Sequence, residues 1–491
     1  MRYHTCMNAP RGMSFMDVIV GVALVLIVFL ALFGLLRASL LISSSAKAKA
    51  GATAVATTQM EYMRSLPYDS VGTVGGIPAG PVAQYATTTL NGIPYAVRTL
   101  VEYVDDAKDG SGASDSNGIT TDYKRVRITT TYIFRSEERE VAIVSNIAPP
   151  SIETTVGGGT LRINVVDAAG VAVAGASVRI QNPSVAPTVD FTTFSDIAGS
   201  ISLPGAPTST DYRITASKDG YSTAETYARD ATNQNPTPGY LTVALNQTTT
   251  STFAIDLLST LILKTFSPIR TATSSDTFAT ASGIASSAST QVSGGAVFLS
   301  GSTGAYALSG TATATSTSPT YLSEWTSATA NTLVPVGTSL RIQVTDGAGG
   351  VLPDSALPGN STGFTTFPIN LSSVSTTTYT ALALQANLTG DSLSTPQVLD
   401  WQIVFEEGPI PLPNVAFTLT GAKKKGTTGG GSAIYKTIIA STTGATGVNT
   451  LSLEWDVYAL AISGYAVVSA SSSPPFTLEP ADILESILIL Q

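Results

Sequence analysis

Cysteine and histidine are almost missing from this chain of 491 residues: one of each occurs, Cys6 and His4, both within the first dozen positions. A single thiol cannot close an internal disulfide, so every folded module must stand on core packing alone. Beyond position 6 the residue types for a zinc site with N/S ligands, a Ser/His/Asp triad or a Cys/His dyad are absent. Carboxylate chemistry and oxygen-ligated metals are what remain. Charge is scarce too, at 12% Asp, Glu, Lys and Arg, about half the ordinary share. The net charge of -9 gives no attraction to phosphate polymers, so nucleic acid is not an expected partner.

What is plentiful is Thr, Ser, Ala and Gly, spread over almost every segment after the first sixty residues. That composition suits many short strands with polar faces. A single hydrophobic core seldom grows past about 250 residues, so three or four domains are expected.

From Val18 to Leu36 the sequence VIVGVALVLIVFLALFGLL carries no charge. About 20 such residues at 1.5 Å each cross a bilayer core, so a membrane-spanning helix is expected here. Two readings share this run. A secretory signal peptide would be removed just past it, and ASLLISSSAKA loosely offers a cleavage site; an anchor would stay.

Directly before the run stand Arg11, Gly12, Met13, Ser14, Phe15, Met16 and Asp17. A lone carboxylate at the edge of an apolar helix costs about 2.5 to 3.5 kcal/mol if carried to the bilayer centre, and so needs a reason. The segment resembles the leader of type IV prepilins and pseudopilins, in which a glycine precedes a short F-T-L-x-E stretch and a long apolar helix. The resemblance implies cleavage after Gly12 by a membrane aspartic peptidase, the prepilin peptidase, and N-methylation of Met13 as the new N-terminus. Asp17 becomes the fifth mature residue, the acid that neutralises the free amine of a neighbouring pilin subunit in the filament. A buried charge is tolerable when paired in this way. Two departures stand: Met13 occupies a position where Phe is usual, and Asp17 one where Glu is usual. An ordinary signal anchor with a stray Asp at the interface explains the same run.

Residues 1–12 would then be the leader and 13–66 one helix, half in the membrane and half emerging, ended by the proline after Leu66. Arg2 and Arg11 precede the run without an acidic neighbour. They place the leader in the cytoplasm and everything after the helix outside, at the cell surface or on a pilus. Residues 67–150 read as a small antiparallel sheet on the exposed half of the helix, from the period-two stretches YATTTL, YAVRTLVEYV and YKRVRITTTYIF. Between its strands lies DDAKDGSGASDSNG, where Asp105, Asp106, Asp109, Asp115 and Asn117 are candidate oxygen ligands for calcium. A solvated acidic turn is the plainer reading.

From Leu161 onward, LRINVVDAAGVAVAGASVRIQ, FSDIAGSISLPG and DYRITASKDGYST resemble the carboxypeptidase regulatory-like, or transthyretin-like, β-sandwich family over residues 157–258. That family is a structural module without a peptidase centre. An internal repeat supports the reading. Near the C-terminus LPNVAFTLTG parallels VAGASVRIQ, the interval from Gly447 to Leu451 repeats that from Gly199 to Leu203, and Gly464-Tyr465 answers Gly220-Tyr221. Residues 409–491 are therefore expected to be a second copy. Residues 260–407, between the copies, read as a jelly-roll or galactose-binding-like sandwich, with Trp325, Trp401 and Tyr321 as candidate stacking platforms for sugars or as core.

Two features look like chemistry and are read as surface. In GAKKKGT the lysines stand before the second glycine rather than after it, which excludes a phosphate loop and makes Lys423, Lys424 and Lys425 a hairpin tip. Glu406 and Glu407 sit at a strand end, as a solvated turn or an acid/base pair. The expected fold class is mainly β, with a long N-terminal helix, a pilin-type sheet and three sandwich modules in tandem. The expected role is a type IV pilin-like subunit that displays adhesive modules towards a surface glycan or protein. The alternatives are a membrane-anchored stalk and a carbohydrate-binding or carbohydrate-degrading surface protein.

Overall fold

A computed structural model describes residues 15–106, 108, 121–150 and 157–491. The chain divides into two compact units, one built from residues up to Leu257 together with Lys424–Ile434, the other from Leu258–Lys423 and Tyr435–Gln491. The protein is mainly β, behind one long apolar helix.

In the first unit helix α1 (Phe15–Ser65) is followed by a four-stranded antiparallel meander of β1 (Tyr85–Leu90), β2 (Ile93–Val104), β3 (Tyr123–Phe134) and β4 (Glu137–Ile147), in that order. The β1–β2 turn puts Asn91 and Gly92 at φ 52° and 78°, the left-handed pair that an Asn-Gly dipeptide adopts easily and that matches strand twist. Val97, Val101, Val126 and Ile128 point from the sheet onto Ala56, Met60 and Met63 of the helix.

The same unit holds a two-sheet module of β5 (Gly159–Val166), β6 (Ser177–Asn182), β7 (Val189–Phe194), β8 (Ser200–Ala206) and β9 (Ser209–Ser217). β5 lies between β8, antiparallel, and the strand Thr248–Ala254, parallel. β6 lies between β7 and β9, antiparallel to both. Leu161, Ile163, Val178, Ile180, Phe191 and Ile214 fill the space between the sheets. The two D-x-x-G stretches are tight turns: Asp167 Oδ1 accepts from Ala169 N and Val171 N at 2.9 and 2.8 Å, and Asp196 Oδ1 from Ala198 N and Ser200 N at the same distances. Gly199 is obligatory, because its φ is +68° and a Cβ there would lie 2.4 Å from the Val165 carbonyl oxygen.

In the second unit this connectivity is written again. The strand Ser259–Phe266 lies between Val448–Leu453, antiparallel, and Ile483–Leu490, parallel. Ala416–Gly421 lies between Ile438–Thr442 and Asp456–Ile462, antiparallel to both. The correspondence reaches single hydrogen bonds. Val165 N donates to Gly199 O and Thr265 N to Gly447 O, while the Tyr212 and Tyr458 hydroxyls donate to the carbonyls of Pro207 and Glu454.

The boundary expected at residue 260 is thereby corrected. Ser259–Phe266 is the first strand of the C-terminal module, and the turn that follows its counterpart β5 is replaced here by an entire inserted sandwich. Arg270 pairs with Glu407, so the insert leaves and rejoins its host side by side, as domain insertion requires. One sheet of the insert carries Arg270–Asp276, Ala296–Leu299, Leu322–Leu333 and Gln397–Glu407; the other carries Ile284–Ala288, Ser309–Ala314, Ser339–Asp346 and Leu382–Thr389. The two sheets close over one core centred on Trp325, Ile342, Leu384 and Trp401.

Candidate membrane and assembly segment

Helix α1 has two chemistries along its 51 residues. From Phe15 to Leu40 every described side chain is exposed, Phe29, Leu30, Phe33 and Leu35 among them. Among the described residues this is the one helix long and apolar enough to cross a membrane. The first buried side chains are Ala48, Ala52, Ala56, Met60 and Met63, spaced by four and three residues, which is one face of an α-helix. Small residues begin this stripe because Tyr95 lies across the helix. Its hydroxyl donates to Ala48 O at 2.9 Å, and a Cβ on Gly51 would fall 2.2 Å from that oxygen. Lower down, Arg64 reaches Ser145 Oγ at 2.9 Å.

Behind the helix end a lysine is buried in the sheet core. Lys124 is 1% exposed, and its ammonium donates to Tyr68 O at 2.7 Å and Val71 O at 2.8 Å. The Tyr68 and Tyr103 rings flank it at 4.6 and 5.4 Å. Burial lowers its pKa to about 8, against the pull of Asp69, which favours the charged form. Burial likewise pushes the Tyr103 phenol up to about 12.

Of the residues singled out from sequence, Gly12 and Met13 lie outside the described residues. Asp17 is the third described residue of α1, and its side chain lies outside the description. Of the calcium candidates, Asp109, Asp115 and Asn117 lie outside it as well. Asp106 accepts from Lys108 N at 3.2 Å, and its own amide is bonded to the Asp122 carboxylate. Among the described residues no group of three or more His, Cys, Asp or Glu converges on a metal position.

The aromatic platforms resolve into core. Trp325 and Trp401 are buried, with Trp325 Nε1 donating to Tyr379 O at 2.8 Å and the rings set edge-on against Phe405 and Phe278. Tyr321 remains partly exposed. Glu407 pairs with Arg270 of the neighbouring strand at 3.1 Å. The lysine run is not a free tip either. Lys423 pairs with Glu454 at 3.3 Å and lies 3.2 Å from the Trp455 ring centre, and Lys436 meets the same buried carboxylate at 2.7 Å. Lys424–Thr427 pairs with Asn235–Pro236 inside the first unit.

Sequence reading missed Lys124, although its signal is visible. In YKRVRIT it falls in phase with Val126 and Ile128, while Arg125 and Arg127 fall on the other face.

No family model matches the chain, and no curated protein matches it. Several solved structures are similar to it. They include the Bacillus anthracis TIE protein, at 10% identity, covering 84% of this chain and 74% of that one, with a TM-score of 0.17. A streptococcal ancillary pilin matches at 9% identity, covering 74% and 75%, with a TM-score of 0.18. BcpA, the major pilin subunit of Bacillus cereus, matches at 8% identity, covering 68% and 99%, with a TM-score of 0.15. The likeness is one between β-rich chains.

Proposed function

We propose that the chain is a type IV pilin-like surface subunit with a structural rather than a catalytic role. Residues 1–12 are the leader removed by the prepilin peptidase, Met13 is the methylated N-terminus, and Asp17 pairs with the amine of a neighbouring subunit. The observation that supports this reading is the division of α1: about half of the helix docks on its own sheet, and the other half presents apolar side chains on every face. A helix that is apolar all round must be buried somewhere. A bilayer before assembly, and other pilin helices after it, supply that burial, with the β modules displayed on the outer side.

The test is the native N-terminus together with Asp17. Mass spectrometry should find the mature chain starting at Met13, and a bulky residue at Gly12 should block processing. Asp17→Ala should be processed and exported yet missing from sheared filaments, because losing one member of a buried ion pair costs about 3 to 5 kcal/mol. Asp17→Glu should assemble at least as well as the parent. If Asp17→Ala enters filaments normally, or no filament fraction contains the protein, the chain is a membrane-anchored stalk.

A further inference from the structure

The inserted sandwich has two ends of different chemistry. At one end the chain enters at Arg270 and leaves at Glu407. The 11 residues of Gln397–Glu407 then span about 35 Å to the other end. There the register pairs Leu333 with Gln397, and both Ser309 and Ser339 with Thr389, so three loops leave the sheets together. They are tied to one another, with Gly390 N donating to Leu308 O at 3.0 Å and Gly304 N to Ser392 O at 2.8 Å.

These loops, with the strand end at Leu333, carry aliphatic side chains into solvent. Val336 is 100% exposed, and Leu308, Leu333, Val334 and Leu393 are between 46% and 66% exposed. Loops 300–308, 334–338 and 390–396 contain one charged residue, Asp391. Its Oδ1 is turned back onto the amides of Leu393 and Ser394 in its own loop. What the tip presents is aliphatic carbon rimmed by Ser and Thr hydroxyls.

We propose that this tip docks on a neutral lipid bilayer, its Leu and Val side chains entering the acyl boundary and its hydroxyls staying at the headgroups. Protein interfaces draw their binding energy from Trp, Tyr and Arg, with Leu and Val under-represented; the one member of the first group in the three loops, Tyr306, is half-buried and set edge-on against Phe298. With no Lys or Arg in the loops, anionic lipid gains nothing. Scattered single apolar residues are ordinary on a surface, whereas five converging on one end mark an interaction site. This inference needs a membrane-held chain and does not depend on filament assembly.

The test is vesicle tethering by the full chain. The protein is reconstituted through α1 into phosphatidylcholine vesicles, which are mixed with fluorescent, protein-free phosphatidylcholine vesicles, and the co-sedimenting fluorescence is read. Flotation of the protein with its own vesicles is scored separately and reports on the helix alone. The parent should tether; Val336→Asp with Leu393→Asp should lower tethering at least tenfold; Val351→Asp, at the opposite end of the domain, should leave it unchanged. Val336→Ser with Leu393→Ser gives the same reading should the charged pair fail to fold, as judged by fluorescence of Trp325 and Trp401. The proposal is overturned if the parent does not tether, if the tip variants tether like the parent, if phosphatidylglycerol is required, or if tethering occurs only between vesicles that both carry the protein.

Discussion

Raising the pH from 8 to 10 should stabilise the helix–sheet domain, because of Lys124. Its folded pKa is lowered from 10.5 to about 8. Below pH 8 the lysine is charged in both states, and the folded state bears the whole cost of holding an ammonium in the core. Between 8 and 10.5 the folded state releases its proton first while the unfolded chain still binds one, so stability rises with pH. The full shift corresponds to roughly 3 kcal/mol, of which about 2 kcal/mol falls between pH 8 and 10. Above pH 10 the tyrosines act in the other direction. Tyr103, raised to about 12, stays neutral in the fold while its unfolded counterpart ionises, so the gain levels off and reverses. Urea titrations followed by pulse proteolysis, with mass spectrometry identifying fragments from residues 67–150, read this domain separately from the others. The midpoint should climb across pH 8, 9 and 10 in the parent and stay flat in Lys124→Met. A flat parent profile, or a climb that survives Lys124→Met, refutes the reasoning.

Two further outcomes follow from packing and charge. Gly51→Val places carbon where the Tyr95 hydroxyl lies and should cost about 1 to 3 kcal/mol of helix docking, seen as proteolysis between α1 and the sheet, with partial recovery in Gly51→Val/Tyr95→Phe. Glu454→Gln removes the charge that Lys423 and Lys436 share. It should lower the urea midpoint of the C-terminal module by the equivalent of about 3 kcal/mol and shift the emission of Trp455, on which Lys423 lies; an unchanged midpoint would mean the pair is not coupled to folding.

How much was legible depended on how local the cause was. The helix announced itself through an unbroken apolar run and the proline after Leu66. The repeat could be read because its glycines are forced: Gly199 and Gly447 face the carbonyls of Val165 and Thr265, and no other residue fits. The nesting of the insert could not be read. Ser259–Phe266 has the alternation of any half-buried strand, and its partners lie more than 180 residues further on; periodicity says which face is buried and nothing about which strand lies alongside. The pairing of Lys423 and Lys436 on Glu454 was hidden for the same reason, whereas Trp325 and Trp401 obeyed the ordinary rule that a Trp in an alternating strand is core.

The side-by-side entry and exit of the inserted sandwich set how it would carry a pull. A load applied at the far tip reaches the host module through the two chain crossings next to Arg270 and Glu407, and the strands leading to them, Arg270–Asp276 and Gln397–Glu407, are antiparallel neighbours. Both lie along the direction of the pull, with their hydrogen bonds across it. The unbroken backbone of Gln397–Glu407 takes the load directly from the tip, and the crossing at Arg270 shares it only through the ladder, which is then loaded in shear, many bonds at once, instead of being opened from one end like a zip.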